Sequence, residues 1–357
     1  MSTIQVPEEK VRLTQYSRGA GCGCKIAPAV LQEMLKTNSE ELSHINLLIG
    51  NSSNDDAAVF DIGDGNAIIS TTDFFMPIVD DAFDFGRIAS ANAISDVYAM
   101  GGKPLMAVAI LGWPIEKLST ALAQQVLEGA RAICAKAGIP LAGGHTIDTV
   151  EPMFGLAVTG IIKKQNIKQN NSAKEGDLLF ITKPIGLGIL ATAQKRNVLT
   201  EEHAKNMIVK MTQLNSFGEK LGAIPGVTAV TDVTGFGLLG HCVEMAEGAN
   251  LSLELYYSRI PVIEGAKEYL AQKVVPDATY RNWNSYSTKT AFEKGVNVME
   301  AFSLLPDPQT NGGLLFSVNE NSVEEIIEAL KTNGYEDYII PIGKFTEKNE
   351  KTINVKN

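Results

Sequence analysis

Short apolar runs and amphipathic stretches follow one another from about residue 57 to the end of the chain. The apolar runs predict strands at 57–60 and 67–72, joined as a hairpin by Gly63-Asp64-Gly65. Further strands are expected at 105–111, 139–142, 153–162, 178–182, 228–231, 251–256, 313–318 and 338–342. Helical periodicity predicts helices at 28–35, 85–100, 115–137, 201–217, 237–247 and 323–331, with a helix start at Gly186 and a loop at 279–290.

The order of these elements favours an α+β fold. Strands and helices mix without the strict alternation of a doubly wound parallel sheet. A polar stretch at 163–177, poor in large apolar residues, marks the junction of two domains. We therefore expect a mobile Gly/Cys-rich arm with a first helix at 1–50, an N-terminal domain at 51–163 and a C-terminal domain at 164–357.

Composition narrows the classes of function. The net charge of −10 argues against nucleic acid as a partner, because a phosphate backbone needs a basic face. A chain this long with four cysteines does not indicate a disulfide scaffold, and a zinc site is poorly supported because Cys-x-Cys lacks a second close pair and the four histidines are scattered. No apolar run is long enough to cross a membrane, and residues 1–10 lack a signal-peptide core. These features predict a cytoplasmic protein without a membrane partner.

The segment Gly19-Ala20-Gly21-Cys22-Gly23-Cys24-Lys25 is the first candidate for chemistry. Its glycines allow sharp bends or a close approach to a ligand. A thiol beside an ammonium group has a lowered pKa, and the thiolate is the reactive form. The chemistry of the residues does not choose between Cys22 and Cys24, and a flexible arm with two incidental cysteines is the alternative.

Aspartates dominate residues 54–96, which hold nine of them, no glutamate, no lysine and one arginine. Asp55, Asp56 and Asp73 flank predicted strands, and Asp96 lies in a predicted helix four residues after Asn92, on the same face. Adjacent acids repel one another unless a cation lies between them, and Mg²⁺ commonly takes one or two carboxylates with phosphate oxygens and water. The pattern predicts magnesium and phosphate chemistry.

Three glycine loops are weaker signals. The turn expected at 143–146, Gly-Gly-His-Thr, could form an anion-binding nest. Residues 235–240 match the G-x-G-x-x-G dinucleotide pattern, and 186–191 match its variant. Both lack the acidic residue expected about 20 positions later. The acid comes before the loop instead, at Asp232, which suits a metal ligand at a strand end.

Several motifs together resemble the selenophosphate synthetase (selenide, water dikinase) family over about residues 12–344. They are RLTQYS leading into GAGCGCK, NDDAAVFD (54–61), STTDFFMPIVDD (70–81), FGRIASANAISDVYAMGGKP (85–104), LAGGHTID (141–148), TDVTGFGLLGH (from Thr231) and DPQTNGGLL (307–315). Arg18 and Asn311 stand where some members have His and Ser.

The resemblance implies an enzyme that makes selenophosphate from ATP, selenide and water, releasing AMP and orthophosphate. It implies a two-domain fold of the aminoimidazole ribonucleotide synthetase type, with the N-terminal sheets joined across a homodimer. A monovalent cation and a selenium-delivery protein are further expected participants.

The resemblance also assigns roles to residues. Cys22 becomes the reactive thiol, and Lys25 meets the phosphates from a lid formed by residues 19–25. Mg²⁺ is held by Asp56, Asp96 and Asp232, with Asp73 beside the ATP phosphates. The nucleotide is lined by Ser53, Asn54, Asp55, Gly144, His145 and Thr146, the last three from the partner subunit.

Three other functions are compatible with the sequence. A relative that phosphorylates a different substrate would not need the thiol loop. A non-catalytic selenium or metal carrier would use Cys22 and Cys24 without ATP turnover. A dinucleotide-dependent oxidoreductase would bind NAD at residues 235–240.

Overall fold

The computed structural model describes residues 11–17, 19, 21–26, 28–35, 44–50 and 55–357. Within them the chain forms thirteen strands and eleven α-helices, with short 3₁₀ turns that include Leu13–Tyr16 and Gly21–Cys24. The strands are β1 Leu47–Ile49, β2 Ala58–Gly63, β3 Asn66–Phe75, β4 Lys103–Trp113, β5 Leu141–Asp148, β6 Met153–Lys163, β7 Leu178–Ile181, β8 Val227–Asp232, β9 Ser252–Tyr256, β10 Thr290–Phe292, β11 Leu314–Val318, β12 Gly343–Thr346 and β13 Ile353–Lys356. The helices are α1 Pro28–Leu35, α2 Ala82–Ala99, α3 Thr120–Lys136, α4 Leu187–Lys195, α5 Glu201–Met211, α6 Phe217–Ala223, α7 Gly237–Gly248, α8 Ala266–Ala271, α9 Asp277–Tyr286, α10 Val298–Leu304 and α11 Val323–Thr332.

Two mixed sheets carry the two halves of the chain. The N-terminal sheet has the order β1-β2-β3-β6-β4-β5, and its β4–β5 pair is parallel while its other pairs are antiparallel. The C-terminal sheet has the order β10-β13-β9-β12-β7-β11-β8. This arrangement confirms the expected α+β class with a sheet in each half.

Helix α2 is the element that joins the two halves. Asp81 caps its start by accepting a hydrogen bond from the Asp84 amide. From residue 88 to residue 99 every side chain is buried, because the helix packs against the N-terminal sheet, against α3 and against elements of the C-terminal half. Gly86 and Gly129 allow α2 and α3 to approach closely, since a Cβ atom at either would lie within about 2 Å of a backbone oxygen of the other helix (1.9 and 2.0 Å).

The buried DPQTNGG motif (307–313) forms hydrogen bonds to the first turn of α4. Asp307 Oδ2 accepts a hydrogen bond from the Gly188 amide at 3.0 Å, and Gln309 Oε1 accepts one from the Leu187 amide at 3.1 Å. These two side chains therefore satisfy amides of the first turn of the helix. Asn311 adopts a φ of 50°, a conformation that asparagine tolerates well. The glycine loop before α4 is thus held by protein groups, which argues against a pyrophosphate there.

We expect Asp307→Ala to lower the free energy of unfolding by about 1–2 kcal/mol, because the α4 amide then loses its cap. Burial raises the pKa of Asp307 to about 8, so at neutral pH the carboxyl is mostly protonated, and Asp307→Asn should cost less. Because this pKa is raised from 3.8, the contribution of the Asp307 carboxyl to stability is complete below pH 3.8 and is lost as the pH rises to about 8. Thermal denaturation of the two variants tests the role, and equal destabilisation by both would contradict it.

Most of the expected elements are present, with shifted ends. The hairpin of β2 and β3, helices α1, α2, α7 and α11, and strands β4, β6, β7, β8, β9 and β11 confirm the predictions. Helix α3 begins at Thr120 rather than at 115 because Ser119 provides the N-cap. The helix expected at 201–217 is divided into α5 and α6 at the residue where Thr212 Oγ1 returns a hydrogen bond to the Ile208 carbonyl.

Three predictions of local structure are wrong. Residues 279–290 form helix α9 and a 3₁₀ turn, since Trp283 packs on Phe292 and Phe302 and tertiary contacts override the weak periodicity. The strand expected at 338–342 is absent: Tyr338 ends a 3₁₀ turn at Glu336–Tyr338, and the following residues connect this turn to β12. Residues 143–146 are not a turn but the middle of strand β5.

No helix among the described residues is both long and apolar enough to span a membrane.

Candidate active site

A cleft of about 640 Å³ opens where α2 and β3 meet the end of β8. Its walls come from the segment before β2, from α1, β2, β3, α2, β8 and α7, and from Lys25 and Ile26, at the end of the Gly/Cys segment (residues 19–25) and just after it. The lining residues are Lys25, Ile26, Leu31, Gly50, Asp55, Asp56, Ala57, Ala58, Ser70, Thr71, Thr72, Asp73, Asp96, Asn170, Thr231, Asp232, Thr234, Phe236, His241 and Glu244. The cleft thus collects the aspartates that the sequence singled out.

Each carboxylate is held by a polar neighbour on an adjacent element. Asn92 Nδ2 donates to Asp73 Oδ2 at 2.7 Å. Thr71 Oγ1 donates to Asp96 Oδ2 at 2.5 Å. Residues 71 and 73 share one face of β3, and residues 92 and 96 share one face of α2, so the strand and the helix present two matched pairs to each other.

Two further carboxylates come from opposite halves of the chain. Asp56 precedes β2, and its Oδ1 accepts a hydrogen bond from Thr231 Oγ1 at 3.0 Å. Asp232 ends β8 and is 1% exposed. The side chain of Thr231 therefore connects the two halves at the floor of the cleft.

The crowding of these acids raises their pKa values. Burial, followed by the charges of Asp232 and Asp96, raises the pKa of Asp56 well above its usual value. Burial, followed by the charges of Asp232 and Asp73, does the same to the pKa of Asp96. Burial also raises the pKa of Asp232, although its hydrogen bond with Ser95 and the charge of Lys25 act in the opposite direction. Such mutual repulsion is relieved when a cation is bound between the carboxylates.

The donor set fits Mg²⁺. Oδ2 of Asp56 and Oδ2 of Asp232 are buried without a hydrogen-bond partner, although buried carboxylate oxygens are normally paired. Among the described residues, no three acidic, histidine or cysteine side chains come together tightly enough to hold one metal ion by themselves. Mg²⁺ does not require such a cage, because it usually keeps waters and is completed by substrate phosphates.

Lys25 supplies a positive charge to the cleft. Its Nζ lies 3.8 Å from Asp73 Oδ2 and donates to Thr234 Oγ1 at 3.4 Å. The backbone leading to it is pinned by the Gly21 amide, which donates to the Met76 carbonyl at 3.1 Å. Gly21 has a φ of 50°, and a Cβ there would lie 2.3 Å from Ile78 Cδ1. The positive φ and the close contact both favour glycine at this position.

Asp55 lies at the edge of the cleft. Its Oδ1 accepts a hydrogen bond from the Asn170 amide at 2.9 Å, and its Oδ2 accepts one from Gln169 Nε2 at 3.3 Å. These bonds attach the segment before β2 to the start of the C-terminal half. Asp55 therefore links these two segments of the chain and also lines the cleft.

Some of the expected site residues are not placed in the cleft. Gly144, His145 and Thr146 are exposed on β5, an edge strand three positions from β3 and so roughly 14 Å away across the sheet. Ser53 and Asn54, and the side chains of Cys22 and Cys24, lie outside the described residues. Within one chain, residues 144–146 do not join the aspartates.

Buried His241 and partly exposed Glu244 form a pair on α7 that the sequence did not predict. His241 Nε2 accepts a hydrogen bond from the Thr234 amide at 3.1 Å, which leaves the proton on Nδ1, 3.4 Å from Glu244 Oε2. Burial lowers the pKa of His241 to about 3 and raises that of Glu244 to about 7. The pair fixes the Thr234 loop on which Lys25 rests. The signal was a Gly-His followed three residues later by Glu on a helix that opens at the cleft.

Comparisons with known proteins agree with this architecture. The family model of the AIR synthase related protein, N-terminal domain, matches residues 54–162, and that of the C-terminal domain matches residues 174–356. The fold is also that of a thiamine-monophosphate kinase from Stenotrophomonas maltophilia, with a TM-score of 0.63 at 17% identity over 88% of this chain and 92% of that one. Fold and sequence therefore define an AIR synthase related protein.

Curated relatives narrow the class. The chain is 52% identical over 349 residues to a selenide, water dikinase of Haemophilus influenzae, covering 98% of this chain and 99% of the relative. It is 53% identical to one from Yersinia pseudotuberculosis, covering 94% and 95%. The chain belongs to the selenide, water dikinase family of enzymes.

Proposed function

We propose that the protein converts ATP, hydroselenide and water into selenophosphate, AMP and orthophosphate. The observation that carries the proposal is the cleft itself, in which carboxylates from both halves surround one lysine in a chain so similar to selenide, water dikinases. Two phosphoanhydride bonds of ATP are cleaved in this reaction. One phosphoryl group goes to selenium and the other to water.

The proposed ligands of Mg²⁺ are Asp56, Asp96 and Asp232, with Asp73 beside the ATP phosphates. Bound Mg²⁺ would neutralise phosphate charge and position the phosphoryl groups. The chain's own contribution is to hold the carboxylates with Thr71, Thr231 and Asn92 and to exclude water around them. An acidic protein thereby accommodates a highly anionic substrate.

Lys25 and Cys22 are the proposed catalytic side chains. The ammonium group of Lys25 reaches the cleft from the Gly/Cys segment and would contact the phosphates as charge develops on them. Cys22 is assigned as the thiol that handles selenium, and residues 19–25 as the lid. Closure of that lid would keep the readily oxidised selenide away from bulk water.

The nucleotide is proposed to lie along Ser53, Asn54 and Asp55, with Gly144, His145 and Thr146 contributed by a second subunit. Strand β5 supports this homodimer, because one of its edges pairs with no other strand among the described residues and such an edge can extend a sheet into a second copy. A monovalent cation, a selenium-delivery protein and a cytoplasmic location complete the proposal. We also propose that the chain is divided into an arm at 1–50 and two domains at 51–163 and 164–357.

Anaerobic turnover with ATP, Mg²⁺ and selenide tests the proposed reaction, with products followed by ³¹P NMR and nucleotide chromatography. Selenophosphate together with AMP and orthophosphate in equal amounts is the expected result. ADP formed without any effect of selenide would instead indicate a kinase of another substrate. Absence of ATP consumption would indicate a selenium carrier.

The roles of the two thiols are separated by Cys22→Ser and Cys24→Ser. We expect Cys22→Ser to abolish selenide-dependent turnover, because a hydroxyl does not ionise near neutral pH and is a far weaker nucleophile than a thiolate. Cys24→Ser should keep activity within a few-fold. Loss of activity in the Cys24 variant alone would reverse the assignment.

A further inference from the structure

A second cleft, of about 370 Å³, lies on the other side of the Gly/Cys segment. It is formed by one side of α4 and the residue that follows this helix, by the start of α9 and by the backbone of the segment. Its lining residues are Gly19, Gly23, Ile78, Gly188, Ala191, Thr192, Lys195, Arg196, Val275, Pro276, Asp277, Ala278, Arg281, Pro308 and Thr310. None of them belongs to the lining of the aspartate cleft.

The described residues of the Gly/Cys segment, namely 19 and 21–25, form the partition between the two clefts together with Ile26. Gly19 and Gly23 line the second cleft, whereas Lys25 and Ile26 line the aspartate cleft. The backbone of Gly21–Cys24 makes a 3₁₀ turn between them. A small ligand in the second cleft therefore reaches the Gly/Cys segment from the side opposite to the carboxylates.

The second cleft is basic. It has three cationic residues, Lys195, Arg196 and Arg281, against the single acid Asp277 among its described lining residues. Arg281 Nη2 donates to the Gly23 carbonyl at 2.8 Å, and Arg196 Nη1 donates to the Lys273 carbonyl at 3.1 Å. A carbonyl partner does not neutralise a guanidinium group. Among the described residues neither Arg196 nor Arg281 forms an ion pair with a carboxylate, so both charges act on the cleft.

Lys195 adds to this charge and also holds the partition. Its Nζ donates to the Ser17 carbonyl at 3.1 Å and lies 3.5 Å from the Gly19 carbonyl. Lys195 and Arg281 therefore hold the segment by hydrogen bonds to backbone oxygens on both sides of Gly21. The same cations therefore position the segment and set the potential beside it.

An anion approaching the aspartate cleft directly meets an unfavourable field. The protein carries a net charge of −10, and the cleft is lined by Asp55, Asp56, Asp73, Asp96, Asp232 and Glu244. ATP arrives with its charge reduced by bound divalent cations, but hydroselenide, the main form of selenide at neutral pH, brings no such partner. A cleft lined by cations focuses the field and raises the local concentration of anions.

We propose that the basic cleft is the approach and binding site for the anionic selenium substrate, hydroselenide. The anion is held by Arg196, Arg281 and Lys195 and meets the Gly/Cys segment from the side away from ATP. The inference rests on the proposed function, since it assigns a route to one of its substrates. The two anionic substrates thereby enter from opposite faces of one segment before they react.

The test uses Arg196→Gln and Arg281→Gln in the full chain, assayed anaerobically with free selenide. We expect kcat/KM for selenide to fall about threefold in each variant and about tenfold in the double variant, within the range of electrostatic steering. The loss should shrink as ionic strength rises, because salt screens the cleft. In Arg196→Gln, whose hydrogen bond goes to Lys273 and not to the Gly/Cys segment, kcat at saturating selenide and kcat/KM for ATP should stay within twofold.

Arg131→Gln is the matched control, because it removes one positive charge from an exposed position on α3. It should leave kcat/KM for selenide unchanged, which separates the local field from the total charge. If Arg281→Gln lowers the melting temperature through loss of its bond to Gly23, Arg196→Gln decides alone, since its bond to Lys273 lies outside the partition.

Unchanged kcat/KM for selenide in the variants, in an enzyme that makes selenophosphate, overturns the inference. So does a loss that occurs only when selenium is supplied by a delivery protein, because the cleft would then be a protein docking surface. Failure of the unaltered protein to form selenophosphate refutes the proposed function instead. The two failures are therefore distinguishable.

Discussion

Asp232→Asn is expected to lower ATP turnover by on the order of 10²–10³-fold while stabilising the metal-free protein. The loss of activity follows because the amide removes one of the negative charges proposed to hold Mg²⁺. The gain in stability follows because Asp232 is 1% exposed, close to other carboxylates, and has an oxygen without a partner. Functional sites commonly keep such unfavourable groups at the expense of stability.

The pH dependence has a definite sign. Because the folded-state pKa values of Asp56, Asp96 and Asp232 are raised above 3.8, their contribution to stability is complete below pH 3.8 and is lost as the pH rises through the raised values. Mg²⁺ requires the ionised carboxylates, so its binding releases protons and strengthens with pH. In Asp232→Asn both effects should be smaller.

Thermal denaturation with EDTA over a range of pH, combined with calorimetric titration of Mg²⁺, measures these effects. Asp64→Asn is the matched control, because Asp64 lies exposed in the β2–β3 turn with a φ of 50° that asparagine also tolerates. It should change neither turnover nor stability appreciably. Full turnover by Asp232→Asn, or a metal-free variant less stable than the parent, would contradict the prediction.

The site residues that could be predicted from the sequence are charged side chains in otherwise apolar helices and strands. Asp96 in an apolar helix and Asp232 at the end of an apolar strand are unfavourable unless they have a partner, and both line the cleft. The four-residue spacing from Asn92 to Asp96 placed both on the face that meets Asp73 and Thr71. Spacing within one element is readable because helix and strand geometry are fixed.

What could not be predicted depends on packing between distant segments. Residues 279–290 have no clear period, yet the contacts of Trp283 with Phe292 and Phe302 stabilise helix α9. The hydrogen bond from the Thr234 amide to His241 depends on the packing of α7 beside the Thr234 loop, which the sequence does not reveal. Similarly, Arg196 and Arg281 are 85 positions apart by residue number and face one cleft only in the folded chain.

Lys25→Met is expected to lower kcat/KM for ATP by on the order of 10²–10³-fold with little change in stability. The side chain of Lys25 is 38% exposed and lies 3.8 Å from Asp73 Oδ2, and such an exposed pair contributes at most about 1 kcal/mol. Its main effect is therefore on the charge of the cleft. Lys25→Arg should recover only part of the activity, because a planar guanidinium does not match the position of a compact ammonium group.

The loss of the ammonium group should also shift the pH dependence of Mg²⁺ binding. The charge of Lys25 lowers the pKa values of Asp96 and Asp232, so in Lys25→Met these values rise further. Mg²⁺ and an ATP analogue should then bind only at higher pH than in the parent, as measured by calorimetric titration. Lys294→Met, at an exposed position in the turn before α10, serves as the control. An unaltered pH profile together with unaltered kcat/KM would show that Lys25 does not act on the aspartate cleft.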